Sequence, residues 1–306
     1  MDFSYMFGQM AVLFFVVIVG YGANKAGFLD GDLNRRLSAL VVNVTTPAMI
    51  LSSVMTGADL PGLGKVGAIL AISAVSYALA FLAAFLLPRL MKAPRDQAGA
   101  FRFMLVFGNV AFIGFPVVSA IFGEGAVFYA SIFNLPFNLM VYTIGVLMIS
   151  GGRSQVKLSW RLLLSPCVLA SLATLVIALG RLRVPALAGQ AIGLLGQITT
   201  PAALLIIGSS LAQLPLRSIL GGPRVWAVTA VRLLLLPAVL WLILRPLVSD
   251  PLILGVAVVI AGMPVASNCT MLCLQYGGDQ KLASQGTFLT TLFSLVTIPL
   301  LASLLL

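Results

Sequence analysis

Gly114-Phe115-Pro116-Val117-Val118-Ser119 and Gly262-Met263-Pro264-Val265-Ala266-Ser267 share the pattern Gly-x-Pro-Val-x-Ser, 148 residues apart. Each lies in the middle of an apolar run long enough to span a bilayer. Proline lacks a backbone donor and clashes with the preceding turn, and glycine two residues earlier lets the backbone leave the helix. Each run is therefore predicted to break near its proline. In lipid, broken backbone is tolerated only where protein or a water-filled cavity satisfies it. One such proline could be an ordinary kink between packed helices. A matched pair points to discontinuous helices that flank a binding site.

Composition fixes the class. The chain has 306 residues, 60% hydrophobic and 8% charged, with a mean hydropathy of +1.12. A soluble domain carries about 25% charged residues. The apolar stretches suit spanning helices rather than the short alternating strands of a barrel. Ten spans are predicted: 3–24, 33–55, 66–90, 100–122, 125–149, 162–179, 187–211, 224–244, 252–275 and 281–305. The first has no basic flank and no cleavage site, so it reads as a retained helix. The net charge of +10 would suggest nucleic acid in a soluble protein. Here the basic residues fall between apolar runs, so they set orientation and no nucleic-acid partner is expected. Thirteen lie in odd-numbered connections and four in even-numbered ones. The positive-inside rule then puts both termini outside the cytoplasm.

Internal repetition sets the organisation. Asn43-Val44-Thr45-Thr46-Pro47-Ala48 is echoed by Gln197-Ile198-Thr199-Thr200-Pro201-Ala202 at an offset of 154. Phe122-Gly123-Glu124-Gly125 is echoed by Tyr276-Gly277-Gly278-Asp279 at the same offset. Five spans per copy is an odd number, so the second copy inserts upside down. The expectation is an all-α integral membrane protein with a five-plus-five inverted repeat, whose fourth and ninth helices break and cross. Residues 1–150 form the first repeat, 151–161 a short basic cytoplasmic loop, and 162–306 the second repeat.

Several chemistries are excluded. The chain has no histidine, and every carboxylate falls in a predicted loop or helix end. An intramembrane aspartyl protease, a histidine-dependent serine protease and a haem carrier lack their groups. So does a proton pump built on a membrane-embedded carboxylate relay. Cys167, Cys269 and Cys273 read as small packing residues. No enzyme, metal site or cofactor is expected.

What remains is neutral. If the broken helices restart at Pro116 and Pro264, proline at the first helical position costs nothing. The amides of Val117, Val118 and Ser119, and those of Val265, Ala266 and Ser267, would then aim helix N-terminal charge at an anion. Asn109, Asn134, Asn138 and Asn268 are candidate lining residues, because an amide in lipid is costly. Asn43, Thr46, Gln197 and Thr200 are either lining residues or part of a Thr-Thr-Pro bend. The stripe Ser284, Thr287, Thr291 and Ser294 suits a cavity or helix–helix hydrogen bonding equally. Arg232, the single deep charge, is a binding residue, a buried partner or a snorkelling side chain.

Gly108-Asn109-Val110-Ala111-Phe112-Ile113-Gly114-Phe115-Pro116 resembles the fourth-helix motif of the auxin efflux carrier family. Met263-Pro264-Val265-Ala266-Ser267-Asn268, followed by Tyr276-Gly277-Gly278-Asp279, resembles its ninth-helix motif. The resemblance runs the length of the chain. It implies ten helices, a homodimer, and elevator-type movement of an organic anion across the bacterial cytoplasmic membrane. Bacterial members are often labelled malate or malonate permeases. It also implies that the crossover residues Asn109, Pro116, Pro264 and Asn268 belong to the binding region, with the second and seventh spans lining it; Gly114 and Met263, within the same two motifs, are further candidates. This chain lacks the long central loop of larger plant carriers, and Ala111 stands where many relatives have glycine.

The functional expectation is a secondary transporter of a small carboxylate working by alternating access. An anion channel or a non-transporting receptor are the alternatives. Coupling is open: potential-driven uniport, sodium on neutral oxygens, or a proton entering with the substrate or through Asp59.

Overall fold

The structure is a computed structural model that describes residues 3–55, 62–151, 165–182, 184–213 and 220–305. Most of the loop at 151–161, together with Asp59, lies outside the described residues. The described residues are helical; their extended backbone includes one isolated bridge and no named strand. Five helices are long and apolar enough to cross a membrane: Gly31–Met55, Leu63–Leu90, Ala186–Ala212, Pro223–Leu244 and Gln280–Ser303. A sixth is the pair Ala126–Phe137 and Val141–Ser150, bent by 41°. Shorter apolar helices include Ala11–Lys25, Val110–Phe122, Pro166–Leu179 and Pro251–Ala261. Side chains such as Phe15, Leu82, Phe85, Val176 and Leu242 are more than half exposed. In water that surface would be unstable; in hydrocarbon it costs nothing. The protein is an integral membrane protein.

Helix ends follow local chemistry. Asp30 caps Gly31–Leu40 by accepting from Leu33 N at 2.7 Å. Asp250 caps Pro251–Ala261, with Pro251 at the first helical position. Asp279 caps Gln280–Leu305 by accepting from Leu282 N at 2.9 Å. Carboxylates thus do capping work at helix starts.

Three π turns end two residues before a proline: Val41–Thr45 before Pro47, Val110–Gly114 before Pro116, and Val231–Leu235 before Pro237. A wider turn makes room for the ring and leaves no hydrogen bond waiting for the missing N–H. These prolines therefore sit inside continuous helix.

That corrects one expectation. Gly114 is helical (φ −62°, ψ −52°), and Val110–Gly114 runs directly into Phe115–Phe122. The fourth span does not break at Pro116. Its first half, Arg95–Val106, ends with Phe107 in extended backbone (φ −104°, ψ 111°), and helix resumes at Val110. The ninth span does break at its motif. Pro251–Ala261 ends, Gly262 to Asn268 are non-helical, and Cys269–Tyr276 follows. Pro264 forces the residue before it toward extended backbone, which stops the helix there. Gly108 and Gly262, one at each break, are 154 residues apart, the offset of the Thr-Thr-Pro echo.

The chain packs as two compact units, each drawing on both halves of the sequence. The first comprises Met1–Leu70, Ala111–Leu135 and Leu163–Leu214. In it Phe3–Lys25 lies along Thr199–Ala212. Gly20 meets the Leu205 backbone and Gly208 meets the Val17 backbone, with no room for a Cβ on either glycine. The second comprises Ala71–Val110, Pro136–Leu162 and Pro215–Leu306. Its core holds the fully buried Phe101, Phe103, Met104, Leu105 and Phe107. Phe103 and Phe107 stack with centroids 4.7 Å apart.

Candidate functional site

Within the second unit the two breaks cross. Gly108 and Val265 form an antiparallel bridge. Asn109 N donates to Pro264 O at 2.7 Å, and Ala266 N donates to Phe107 O at 3.0 Å. Val265 N donates to Thr290 Oγ1 at 3.0 Å, so the Gln280–Leu305 helix buttresses the crossing. Two short extended segments thus satisfy each other, which is what buried non-helical backbone requires.

Arg232 fixes the other side of the crossing. It is 5% exposed. Nε donates to Met263 O at 2.9 Å, and Nη1 donates to Leu105 O at 2.9 Å and Val106 O at 3.5 Å. Leu105 and Val106 end the first helix and Met263 lies two residues past the end of Pro251–Ala261, so the breaks leave these carbonyls without intrahelical partners. A cation at a helix C-terminus also meets the negative end of its dipole. Gly108 lies against the guanidinium: a Cβ there would collide with Nη2 and come within 3.4 Å of Met263 Cβ. Glycine at 108 is therefore a packing requirement.

The crossing sorts its charges. The helix ends at Val106 and Ala261 face Arg232, and helix begins again at Val110 and Cys269. Near the Cys269 start the side chains are polar. Asn109 Nδ2 donates to Ser267 Oγ at 2.7 Å, and Ser267 is exposed. A hydroxyl that accepts one bond still has a hydrogen to donate. Asn268, in the N-cap position, makes no side-chain cap, and its buried Oδ1 has no partner. Thr287 Oγ1 is likewise buried without a partner. Buried polar atoms are normally bonded, which marks these two oxygens as open to a further hydrogen bond.

The sequence matches the family described as Membrane transport protein over residues 5–302. The chain belongs to that family. It is the auxin-efflux-carrier family that the two proline motifs resembled. An "Uncharacterized transporter" of Methanothermobacter thermautotrophicus is 28% identical over 287 residues, covering 93% of both chains. A "Putative malonate transporter" of Rhizobium meliloti is 26% identical over 307 residues, covering 95% of this chain and 93% of the relative.

In this membrane transport protein, Asn109, Met263, Pro264, Val265, Ala266, Ser267, Asn268 and Arg232 come together at the crossing. Two parts of the expected chemistry are corrected. The amides of Val117, Val118 and Ser119 lie inside the helix that began at Val110, since Pro116 did not restart it. Those of Val265 and Ala266 are occupied by Thr290 and Phe107, and Pro264 precedes the Cys269 helix by five residues. Arg232 does not snorkel; its Nε and Nη1 donate to backbone carbonyls.

Gly114, Pro116, Val117, Val118 and Ser119 belong to the first unit, as do Asn134, Asn43, Thr46, Gln197 and Thr200. Asn134 is buried with Oδ1 unpartnered, and Thr46 Oγ1 is in the same state. Asn43 is exposed and donates to Ala39 O of its own helix at 2.8 Å. Gln197 is exposed and Thr200 half-buried, whereas neighbouring Thr199 is buried with an unpartnered hydroxyl. Asn138 lies on Leu135–Met140, and its side chain is outside the described residues. Thr290, which holds the crossing, was absent from the predicted stripe. Its sequence signal was the doubled Thr290-Thr291: Thr290 fits the spacing from Thr287 to Ser294 as well as Thr291 does (3 then 4 residues, against 4 then 3).

Proposed function

We propose that this chain is a secondary transporter of a small organic carboxylate, working by alternating access. The observation that carries the reading is the crossing of two broken segments, with Arg232 on the helix ends and neutral donors beside the restarting Cys269 helix. Discontinuous helices at such a crossing are where transporters bind charged groups. The substrate carboxylate would sit near Ser267, Asn109 and Asn268, where helix-start dipole and amide or hydroxyl hydrogens favour negative charge. Asn138, on a helix of the same unit, is a further candidate contact; Asn134, Thr46 and Thr200 remain candidates within the first unit. Malonate is the first substrate to test, given the name of one relative.

Uniport driven by membrane potential is the coupling this reading favours. Carbonyls freed by broken helices are the usual ligands of a coupling sodium ion. Here those of Leu105 and Met263 already hold a guanidinium. An anion leaving a negative-inside cell gains about 2.3 kcal/mol per charge per 100 mV, which favours export. The reading extends to an elevator-like movement, a five-plus-five inverted repeat, a homodimer, and residence in the cytoplasmic membrane with both termini outside.

The test is uptake into proteoliposomes with a panel of labelled mono- and dicarboxylates, with and without sodium, pH and voltage gradients. Saturable, voltage-dependent counterflow of one carboxylate class is expected. Flux without saturation or counterflow would make the protein a channel. Binding without flux would make it a receptor.

A further inference from the structure

A second site lies in the same unit, away from the crossing. A cleft of about 630 Å³ is lined by Met91, Gln97, Phe101, Arg224, Val225 and Leu282, among others. Its accessible apolar lining is Met91, Pro223 and Ala227. Lys92 and Lys281 are exposed and adjoin the lining residues Met91 and Leu282 in sequence, and Arg95 is exposed two residues before Gln97. The nearby acids are Asp96 and Asp279, and Asp279 is engaged by Gln97 Nε2 at 3.1 Å and by Leu282 N.

Three apolar spans stop at this cleft. Leu63–Leu90 ends one residue before Met91, Pro223–Leu244 begins at a lining residue, and Gln280–Ser303 begins two before Leu282. The ends of apolar spans mark the boundary between hydrocarbon and water. Trp226, 40% exposed beside the lining residue Val225, packs edge-on against Phe293 at 5.2 Å. An exposed tryptophan at a span end suits the headgroup layer. Arg224 is already turned toward the loop end: Nε donates to Met91 O at 3.1 Å and Nη2 to Lys92 O at 3.3 Å. That leaves Nη1 for an acceptor.

We propose that this cleft binds one anionic phospholipid, with its phosphate against Arg224 and Lys92 and an acyl chain along Met91, Pro223 and Ala227. Basic pockets between membrane helices recognise such headgroups by charge. Free phosphate would use only the basic side chains, whereas the apolar lining of Met91, Pro223 and Ala227 and the span-end position fit a lipid. The site bears on transport because its three walls continue into the crossing. Arg95–Val106 carries Leu105, Pro223–Leu244 carries Arg232, and Gln280–Leu305 carries Thr290. Thr290 lies five residues beyond the lining residue Gln285, about 7.5 Å along the helix.

The test is native mass spectrometry of the full chain released from nanodiscs of mixed phosphatidylglycerol and phosphatidylcholine, with titration of delipidated protein by each lipid. Wild type is expected to retain phosphatidylglycerol in preference to phosphatidylcholine. R224Q should weaken phosphatidylglycerol binding about fivefold, the weight of one cation at a membrane surface. A227F keeps every charge but fills the cleft, and should also lower retention. If R224Q fails to fold, K92Q takes over the charge arm. Equal retention of both lipids, or unchanged phosphatidylglycerol affinity in the variants, overturns the proposal. So does displacement of the lipid by millimolar inorganic phosphate.

Discussion

Replacing Arg232 by methionine tests the electrostatics of the crossing most directly. Methionine keeps the length and apolar stem but removes every donor. Two carbonyl oxygens, Met263 O and Leu105 O, lose charged bonds of 2.9 Å, and the 3.5 Å contact to Val106 O is too long to add much. A hydrogen bond to a charged group contributes about 1.5–3 kcal/mol, so the loss is roughly 3–6 kcal/mol. Removing a buried charge also relieves its desolvation, which works the other way. That relief offsets part of the loss, while the carbonyls of Met263 and Leu105 stay buried without a donor. The net loss compares with the whole stability of a domain, about 5–15 kcal/mol. Thermal unfolding of the purified protein in detergent should therefore show a large fall in Tm. R232K should fall in between, since one ammonium cannot reproduce the planar fork across both carbonyls. The transport assay adds the functional arm: R232M, if it folds, loses carboxylate flux in proteoliposomes. An R232M protein with wild-type Tm and wild-type flux would refute the clamp.

Further outcomes follow from the same crossing. Gly108→Ala drives a methyl into the guanidinium and should cost about 1–3 kcal/mol by overpacking, read as a lowered Tm. Thr290→Val keeps the shape but leaves Val265 N without its acceptor; a loss of about 1–3 kcal/mol is expected, with Thr290→Ser restoring Tm. Asn109→Ala and Ser267→Ala should raise the substrate KM, and a double-mutant cycle on KM should show coupling of about 0.5–3 kcal/mol through their hydrogen bond. Additive effects would deny that bond a role in binding. Pro116→Ala should change Tm by less than about 1 kcal/mol equivalent and leave flux intact, because Pro116 sits in continuous helix after a π turn. A loss of transport in that variant would return the break to the proline.

Much of the architecture was legible in the sequence because bilayers impose one-dimensional rules. Apolar run length, sparse charge and carboxylates confined to helix ends are local facts, and the structure bears them out at Asp30, Asp250 and Asp279. The chain's lack of histidine and its lone deep arginine were equally open to inspection. The twin Gly-x-Pro motifs marked the right region but misled in detail. One proline ends a helix and the other is absorbed by a π turn, and a local pattern does not say which.

The sequence by itself thus determined that this is a helical membrane transport protein with two marked segments and a lone deep arginine. Only tertiary structure decided where the first segment breaks and what the arginine touches. Whether a chain leaves helix depends on what will satisfy the freed backbone. Here that partner is another segment, 154 residues along from Gly108, which meets it across the bridge of Gly108 and Val265. Arg232 closes the remaining carbonyls of Leu105 and Met263, a pairing that sequence spacing cannot reveal.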